Sequence, residues 1–525
     1  MTQLSDDIEA ERLNLQALLD EQKTPVERNR LGQFATPTML ARDVLAYGLA
    51  LIPKSKPVRF LDPAIGTGSF YAALQNSERT IQLARGFEID HHYGLPAVNL
   101  WKDTPLQITL GDFTLAVPPA AEKDKATLLI CNPPYVRHHH LEGSEKLRLY
   151  AKAREIAHIS LSGLSGLYCY FMALSHAWMA EGGVAGWLIS SEFMDVNYGR
   201  KLKEYLLREV TLLHIHRFDP NDVQFDDALV SSAVVWFRKE KAPADHSVNF
   251  SYGGSLASPA MMKQIAVADL KRADKWTRFP KNDPAADHDG YRLADLFAIK
   301  RGLATGDNSF FIVDEERVKE LDLPARFLRP VLPSSRHIKD DEILTDAKGI
   351  PLLPKRQFLI DCDIPEHEVR RDYPSLWTYL QTGLETVAAA YLCKSRKFWY
   401  AQEKREAAPI ICTYMGRSDH TRRPFRFLLN RSRATATNVY LMLYPQPLLA
   451  ARLAINPEAI HDLWEALNAI KPETLLGNGR VYGGGLHKLE PKELANVPAD
   501  DIAAIVGLPV KKSNQQLELL DEVAV

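Results

Sequence analysis

The chain has 525 residues, enough for two or three domains and at least one large core, with ordinary apolar and charged fractions. Its net charge of −2 excludes a polycation, so any nucleic-acid surface must be a local patch. No uninterrupted apolar run approaches the ~20 residues that span a bilayer, so no membrane partner is expected.

Five cysteines, Cys131, Cys169, Cys362, Cys393 and Cys412, show no Cys-x-x-Cys or zinc spacing. No metal site is therefore expected, and the odd count suits a reducing compartment. The acidic start (Asp6, Asp7, Glu9, Glu11) is unlike a signal peptide, so a cytoplasmic protein is expected.

Residues 5–22 read as a polar helix with Ile8, Leu15, Leu18 and Leu19 on one side. A charged, turn-rich piece leads to Arg30-Leu31-Gly32-Gln33-Phe34-Ala35-Thr36-Pro37. Helical periodicity then runs from Met39 to Leu51, with Thr36 or Thr38 as cap. A glycine-containing loop entering a helix can hold a carboxylate; a plain loop before a helix explains it equally well.

Val58–Leu61 reads as a strand, Asp62-Pro63-Ala64-Ile65-Gly66-Thr67-Gly68 as a glycine-rich turn, and Phe70–Gln75 as a helix. Glycine at 66 and 68 lets the backbone approach a ligand closely. The turn is not Gly-x-Gly-x-x-Gly and no Walker lysine follows, so phosphate is not the best reading. Ala84–Asp90 is a second strand, ending at Glu88, an acid placed after the glycine turn where ribose hydroxyls are bound. Gln107–Leu110 is a third, ending at Asp112-Phe113, an acid and a ring able to accept from and flank an adenine. Each acid alone is a common turn residue; their succession at strand ends is harder to dismiss.

Leu128-Leu129-Ile130-Cys131 then stops at Asn132-Pro133-Pro134-Tyr135. The prolines cannot donate ladder hydrogen bonds, so the strand must end there. What remains is one amide, unpaired carbonyls and an aromatic face, at the sheet edge where ligands bind. The Asn132 amide oxygen and the Pro133 carbonyl can accept from an exocyclic amino group, and Tyr135 can stack on a base. Taken alone, a proline turn with a packed tyrosine fits as well.

His138-His139-His140 follows in a loop; adjacent histidines point apart and suit solvent or nucleic acid better than a metal. Gly166–Phe171 opens an apolar helix to about Met179, which Gly182-Gly183 would end. Val184–Ile189, Val210–His216 and Ala233–Phe237 supply further strands, and Tyr198–Leu207 a helix. Seven strands with interleaved helices predict a doubly wound α/β sheet. Phe225 falls between the last two strands, near the same edge; ordinary packing explains it equally well.

This ordered set resembles the gamma-type amino-group DNA methyltransferases of the TaqI and Eco57I groups, over residues 25 to 240. The resemblance implies the seven-stranded S-adenosylmethionine-dependent fold with an antiparallel last strand. It implies donor contacts from Phe34, Thr36, Asp62, Gly66, Gly68, Glu88, Asp112, Phe113 and Pro134: Thr36 at the methionine part, Glu88 at the ribose, Asp112 and Phe113 at the adenine. It implies a target adenine flipped from the duplex, sandwiched by Tyr135 and Phe225, with its amino group on Asn132 and Pro133. The same Asn-Pro-Pro-Tyr grip occurs in ribosomal-RNA and protein-glutamine methyltransferases. Cytosine N4 as target, or an inactive DNA-binding chain, also stays open.

Four regions are expected: an N-terminal helix (1–24), a catalytic domain (25–240), a linker (241–250) and a mixed α/β target-recognition domain (251–525). Two glycine-rich basic segments, Arg301–Asn308 and Arg480–Lys488, resemble recognition-domain segments of that family. From Lys394 to Arg433 eleven basic residues stand against three acidic ones, interleaved with aromatics. Candidate nucleic-acid contacts are Arg301, Thr305, Arg396, Lys397, Arg417, Arg422, Arg423, Arg480, Tyr482 and Lys488. The expected partners are double-stranded DNA and a separately encoded cognate restriction endonuclease, with the chain itself a monomer.

Overall fold

The computed structural model describes residues 2–136, 141–219, 232–243, 245–280, 290–417, 423–482, 486–509 and 511. The chain divides into two compact units, Met1–Asn282 with Tyr482–Gly484, and Asp283–Val481 with Gly485–Val525.

The first unit is built on one sheet. Its strands are β1 (Val58–Asp62), β2 (Ile81–Glu88), β3 (Leu106–Leu110), β4 (Ala126–Cys131), β5 (Met179–Ser190), β6 (Thr211–Arg217), β7 (Ser232–Arg238), β8 (Ser247–Gly254) and β9 (Pro259–Ala266). Their spatial order is β3-β2-β1-β4-β5-β7-β6-β8-β9. Strands β1 to β5 pair in parallel, and β7 runs antiparallel to both β5 and β6. The seven expected strands are present, in the doubly wound order.

Two further strands extend the sheet. β8 pairs in parallel with β6, and β9 runs antiparallel to β8. This corrects the linker read at 241–250. Val248 and Phe250 are fully buried, but their alternation is too short to stand out among polar neighbours. The first unit accordingly runs on to Asn282.

The helices are α1 (Thr2–Glu21), α2 (Pro25–Leu31), α3 (Thr38–Ala50), α4 (Ser69–Gln75), α5 (His91–Leu100), α6 (Gly143–Ala157), α7 (Leu167–Ser175) and α8 (Gly199–Arg208). Strand β4 shows how they sandwich the sheet. Leu128 and Ile130 pack into a core with α3 and α4, while Leu129 and Cys131 pack into a second core with α6 and α7. A parallel strand buried on both faces must be apolar throughout, as this one is. Helix α7 stops at Ser175, short of the expected glycine terminator. Gly182 and Gly183 belong to β5 instead, where both exchange backbone hydrogen bonds with Lys239.

Helix α1 also departs from its apolar pattern. Leu18 is 57% exposed, whereas Arg12 is 1% exposed and Glu9 6%. Its inner face carries an ion pair, which apolar periodicity cannot reveal.

The second unit contains three smaller sheets. One has five strands in the spatial order Phe297–Arg301, Tyr440–Pro445, Ile410–Thr413, Phe427–Asn430 and Glu342–Ile343. Another has four: Ile312–Asp314, Gln357–Ile360, Leu328–Leu332 and Thr435–Ala436. The third joins Met415–Arg417, Leu486–Lys488 and Arg480–Tyr482. Among the described residues, no helix is long and apolar enough to cross a membrane.

Candidate active site

The sheet order reverses between β1 and β4, so the loops leaving these strands diverge and open a cleft at their carboxyl ends. The cleft offers about 1020 Å³ of space, part of it open solvent at its mouth. Of the expected residues, Phe34, Gly66, Glu88, Asp112, Phe113 and Asn132 line it, together with Pro134. Thr36, Asp62, Gly68, Pro133 and Tyr135 are not part of this lining.

Asn132 follows directly on β4. Its Nδ2 donates to the Phe34 carbonyl at 3.0 Å and to Thr36 Oγ1 at 3.2 Å. A carbonyl can only accept, so the amide nitrogen must face Phe34 and the oxygen must face away. That Oδ1 is buried and has no partner among the described residues. An orphaned buried acceptor costs roughly 1–3 kcal/mol, so it marks a place where an arriving donor is rewarded. The Thr36 hydroxyl, expected at the donor, accepts from this amide, a bond that does not use its own O–H.

Tyr135 is anchored at both ends. Its hydroxyl donates to the Leu188 carbonyl at 3.0 Å, and its backbone N–H donates to the Gly32 carbonyl at 3.2 Å. Its ring meets Phe34 edge to face, with centroids 5.9 Å apart. The tyrosine is thus a fixed platform rather than a base. Phe225 and the three histidines lie outside the described residues.

The other strand ends divide the remaining work. Asp62 is 1% exposed and accepts from the Ala64 N–H at 3.1 Å, shaping the glycine turn from beneath. Burial pushes its carboxyl up to about 8, which favours the protonated form. Gly68 has φ of +94°, and a Cβ there would lie 2.6 Å from Trp101 Nε1. Its role is close packing behind the cleft. Glu88 accepts from the backbone N–H groups of Gly66 (3.0 Å) and Asp90 (2.9 Å). Burial raises its carboxyl above the usual range, against the pull of those two donors. Asp112 accepts from the Thr114 N–H and hydroxyl, both at 2.8 Å. Phe113 is 2% exposed and packs between Phe87 and Phe171, forming an aromatic floor.

One wall has no counterpart among the sequence motifs. Gln16 and Asp20 of α1 and Tyr93 of α5 also line the cleft, beside Gln33 of the segment before α3. Arg12 holds α1 in place: it chelates Glu9 at 2.7 and 2.8 Å and reaches Thr67 Oγ1 at 3.1 Å and Thr38 Oγ1 at 3.2 Å. A polar helix far from the glycine turn in sequence carries no local signal of this.

In the second unit the nucleic-acid candidates separate. The Arg301 guanidinium lies 4.1 Å and Lys488 Nζ 5.1 Å from the ring centre of Tyr414. Arg417 is exposed on the strand paired with the one bearing Lys488. Lys397 and Arg423 are also exposed. Thr305, by contrast, is 2% exposed and bonds Asn308 Oδ1 at 2.6 Å, closing its own turn. Arg396 donates to the Ala304 carbonyl at 2.8 Å and stacks on Phe311. Both are internal braces, which corrects their reading as surface contacts. Arg422 lies outside the described residues, as do the side chains of Arg480 and Tyr482. The local charge excess is also smaller than counted, because Arg426 pairs with Asp341 and Arg431 with Glu342.

Two family models match the chain: "Eco57I restriction-modification methylase" over residues 68–224, and "Type II methyltransferase M.Eco57I, C-terminal domain" over 283–523. The Type II methyltransferase M.XamI of Xanthomonas campestris pv. amaranthicola is 29% identical over 478 residues, covering 89% of this chain and 84% of that one. The Type II methyltransferase M.AccI of Acinetobacter calcoaceticus is 25% identical over 487 residues, covering 89% and 85%. Among solved structures, the Type IIL restriction-modification enzyme MmeI in complex with DNA matches at 13% identity and a TM-score of 0.49, covering 85% of this chain and 63% of that one.

Proposed function

We propose that the chain is a type II restriction-modification methyltransferase, a DNA-methylating enzyme that uses S-adenosylmethionine, a reading supported by its matches to such enzymes, and that its target is the N6 amino group of an adenine flipped out of the duplex. The observation that carries this reading is the unpartnered Asn132 Oδ1 at the end of β4.

The residues of the cleft suit the donor. Glu88 would hold ribose hydroxyls, Asp112 would accept from the adenine amino group, and the Phe87–Phe113–Phe171 floor would flank the ring. When bound, S-adenosylmethionine supplies an electrophilic methyl group on a positively charged sulfur. Asn132 Oδ1 and the Pro133 carbonyl would accept hydrogen bonds from the two N–H groups of the target amino group, one of whose protons is released to solvent once the nitrogen carries the methyl group. The two bonds draw the nitrogen lone pair out of conjugation with the base and aim it. Tyr135 holds the base plane by stacking, worth ~1–3 kcal/mol; Phe225 would lie on the other face. Orientation supplies much of the rate, so no nucleophilic side chain is required. Asn132 Oδ1 is sealed from solvent in this conformation, so the entering base must part the side chains around it.

The second unit would read the DNA, with the exposed Arg301, Lys397, Arg417 and Arg423 at phosphates or bases; Lys488 is paired with Glu490 at 2.8 Å. A separately encoded nuclease would complete the pair.

The test is labelled-methyl transfer to DNA, RNA and protein acceptors, followed by nucleoside analysis of the product. N6-methyladenine in DNA is expected. N4-methylcytosine, or label in RNA or glutamine, would replace the adenine assignment. No transfer to any acceptor would leave a DNA-binding role alone.

A further inference from the structure

The N-terminal helix contributes an acid to the cleft that neither the strand ends nor the glycine turn explains. Asp20 lines the cleft and keeps about a quarter of its side chain exposed. Its carboxylate is held by neutral donors: Gln16 Nε2 at 3.0 Å from both oxygens, and the Tyr93 hydroxyl at 2.8 Å. One cation stands at the edge, Arg28 at 3.9 Å. A carboxylate offers about four lone-pair sites, so it can still accept.

Its neighbours say which end of the cleft it serves. Gln16 Oε1 accepts from Thr67 Oγ1 at 2.6 Å, tying Asp20 to the glycine-rich turn. Asp112 instead binds Thr114 and lies 3.7 Å from Arg148. The two acids belong to different walls. If Asp112 and Glu88 take the nucleoside, as the proposed function has it, Asp20 faces the remaining part of the donor. That part carries an ammonium group, and Asp20 is a cleft-lining carboxylate tied through Gln16 to the glycine-rich turn.

Resting on that reading, we infer that α1 is a wall of the donor site: Asp20 receives the ammonium group of the donor's amino-acid tail. Gln16 and Tyr93 orient that carboxylate, and the buried Glu9–Arg12 pair seats the helix on Thr67. Arg12 is a positioning residue in this scheme.

The test uses the whole chain and two probes, S-adenosylhomocysteine and 5′-methylthioadenosine. The second has the nucleoside and the sulfur but no amino-acid tail. Titration calorimetry with Asp20→Asn should show S-adenosylhomocysteine binding weakened about tenfold, the effect of losing one charge-assisted hydrogen bond. Methylthioadenosine affinity should change less than about twofold. Tyr93→Phe, which keeps the charge but removes one orienting hydrogen bond, should weaken S-adenosylhomocysteine binding by less than Asp20→Asn does and leave methylthioadenosine binding within about twofold of the parent. In turnover, Asp20→Asn should raise the donor KM and leave kcat nearly unchanged. Unchanged S-adenosylhomocysteine binding would overturn the inference, as would equal weakening of both probes, which would mark Asp20 as a structural brace. Failure of the parent chain to bind either probe would instead overturn the donor reading itself.

Discussion

The backbone N–H of Tyr135 donates to the carbonyl of Gly32 at 3.2 Å, and a Cβ on Gly32 would lie 2.3 Å from that same nitrogen. The loop before α3 and the loop after β4 therefore touch backbone to backbone, 103 residues apart in the chain. Gly32 also has φ of +64°, in the left-handed region. Alanine there meets both the conformational cost, about 1–2 kcal/mol, and the overlap with Tyr135. Gly32→Ala should lower the thermal midpoint and reduce methyl transfer together. A variant with unchanged melting and full activity would show that the two loops can separate freely.

Asn132→Ala removes the orphan acceptor without touching the strand-end acids. Transfer should fall by about a hundredfold or more, the usual loss for one preorganised polar group. Affinity for S-adenosylhomocysteine, read by calorimetry, should stay within about threefold of the parent. Full turnover by this variant would remove Asn132 from the chemistry.

Thr36→Val tests the orienting role separately. It keeps the shape but deletes the hydroxyl that takes Asn132 Nδ2 at 3.2 Å, leaving Phe34 as the other acceptor. A neutral hydrogen bond is worth about 0.5–1.5 kcal/mol net. The expected result is a several-fold loss in kcat with the donor KM unchanged. A loss confined to donor KM would return Thr36 to the donor site.

His214 and His216 set an acid limit on the first unit. Both donate to or accept from Ser251 Oγ, at 2.7 and 2.8 Å, in the β6–β8 core. Burial depresses each imidazole to about 4, from an ordinary 6.5. Between those values the unfolded chain takes up protons that the folded chain refuses. Stability present above pH 6.5 is therefore lost as pH falls toward 4, on the order of 3 kcal/mol for each imidazole. Urea midpoints measured at pH 7 and 4.5 should differ, and His216→Gln should narrow the gap. Identical midpoints in the parent would contradict the assignment.

Arg301 and Arg396 should separate in a salt titration of DNA binding. Arg301→Ala should weaken binding to all sequences alike and lower the log–log salt slope by about one. Arg396→Ala should lower the melting temperature and leave the slope alone, because its half-buried guanidinium is committed to Ala304 and Phe311, whereas Arg301, though bonded to the Asn438 carbonyl, is exposed. A slope change with Arg396 and none with Arg301 would reverse the two roles.

Contiguous signals were legible in the amino-acid order alone. Leu128–Cys131 announces a strand buried on both faces, and Pro133-Pro134 announces its end, because both follow from local sterics and period-two burial. The acids at 62, 88 and 112 could be placed at strand ends for the same reason. Their separate duties could not. Asp62 and Glu88 share a residue class and a strand-end position, yet Asp62 lies beneath the turn and Glu88 lines the cleft.

Charge was the least legible property. The run from Lys394 to Arg433 looked like an open basic surface, but Arg426 and Arg431 find their acids 85 and 89 residues away. An ion pair is a matter of distance in space, and a segment count does not contain that distance. The same holds for α1, whose buried Arg12 and cleft-facing Asp20 follow from docking against Thr67, Thr38 and Tyr93.

Order along the chain was thus enough to reveal the sheet, the edge where its loops gather and the amide that ends β4, since strand period and proline stereochemistry act between near neighbours. Three-dimensional packing alone settled the free direction of the Asn132 oxygen, the wall formed by α1 and the bases already paired. Each of these depends on groups tens of residues apart meeting within hydrogen-bond reach, and such bonds act only over about 3 Å.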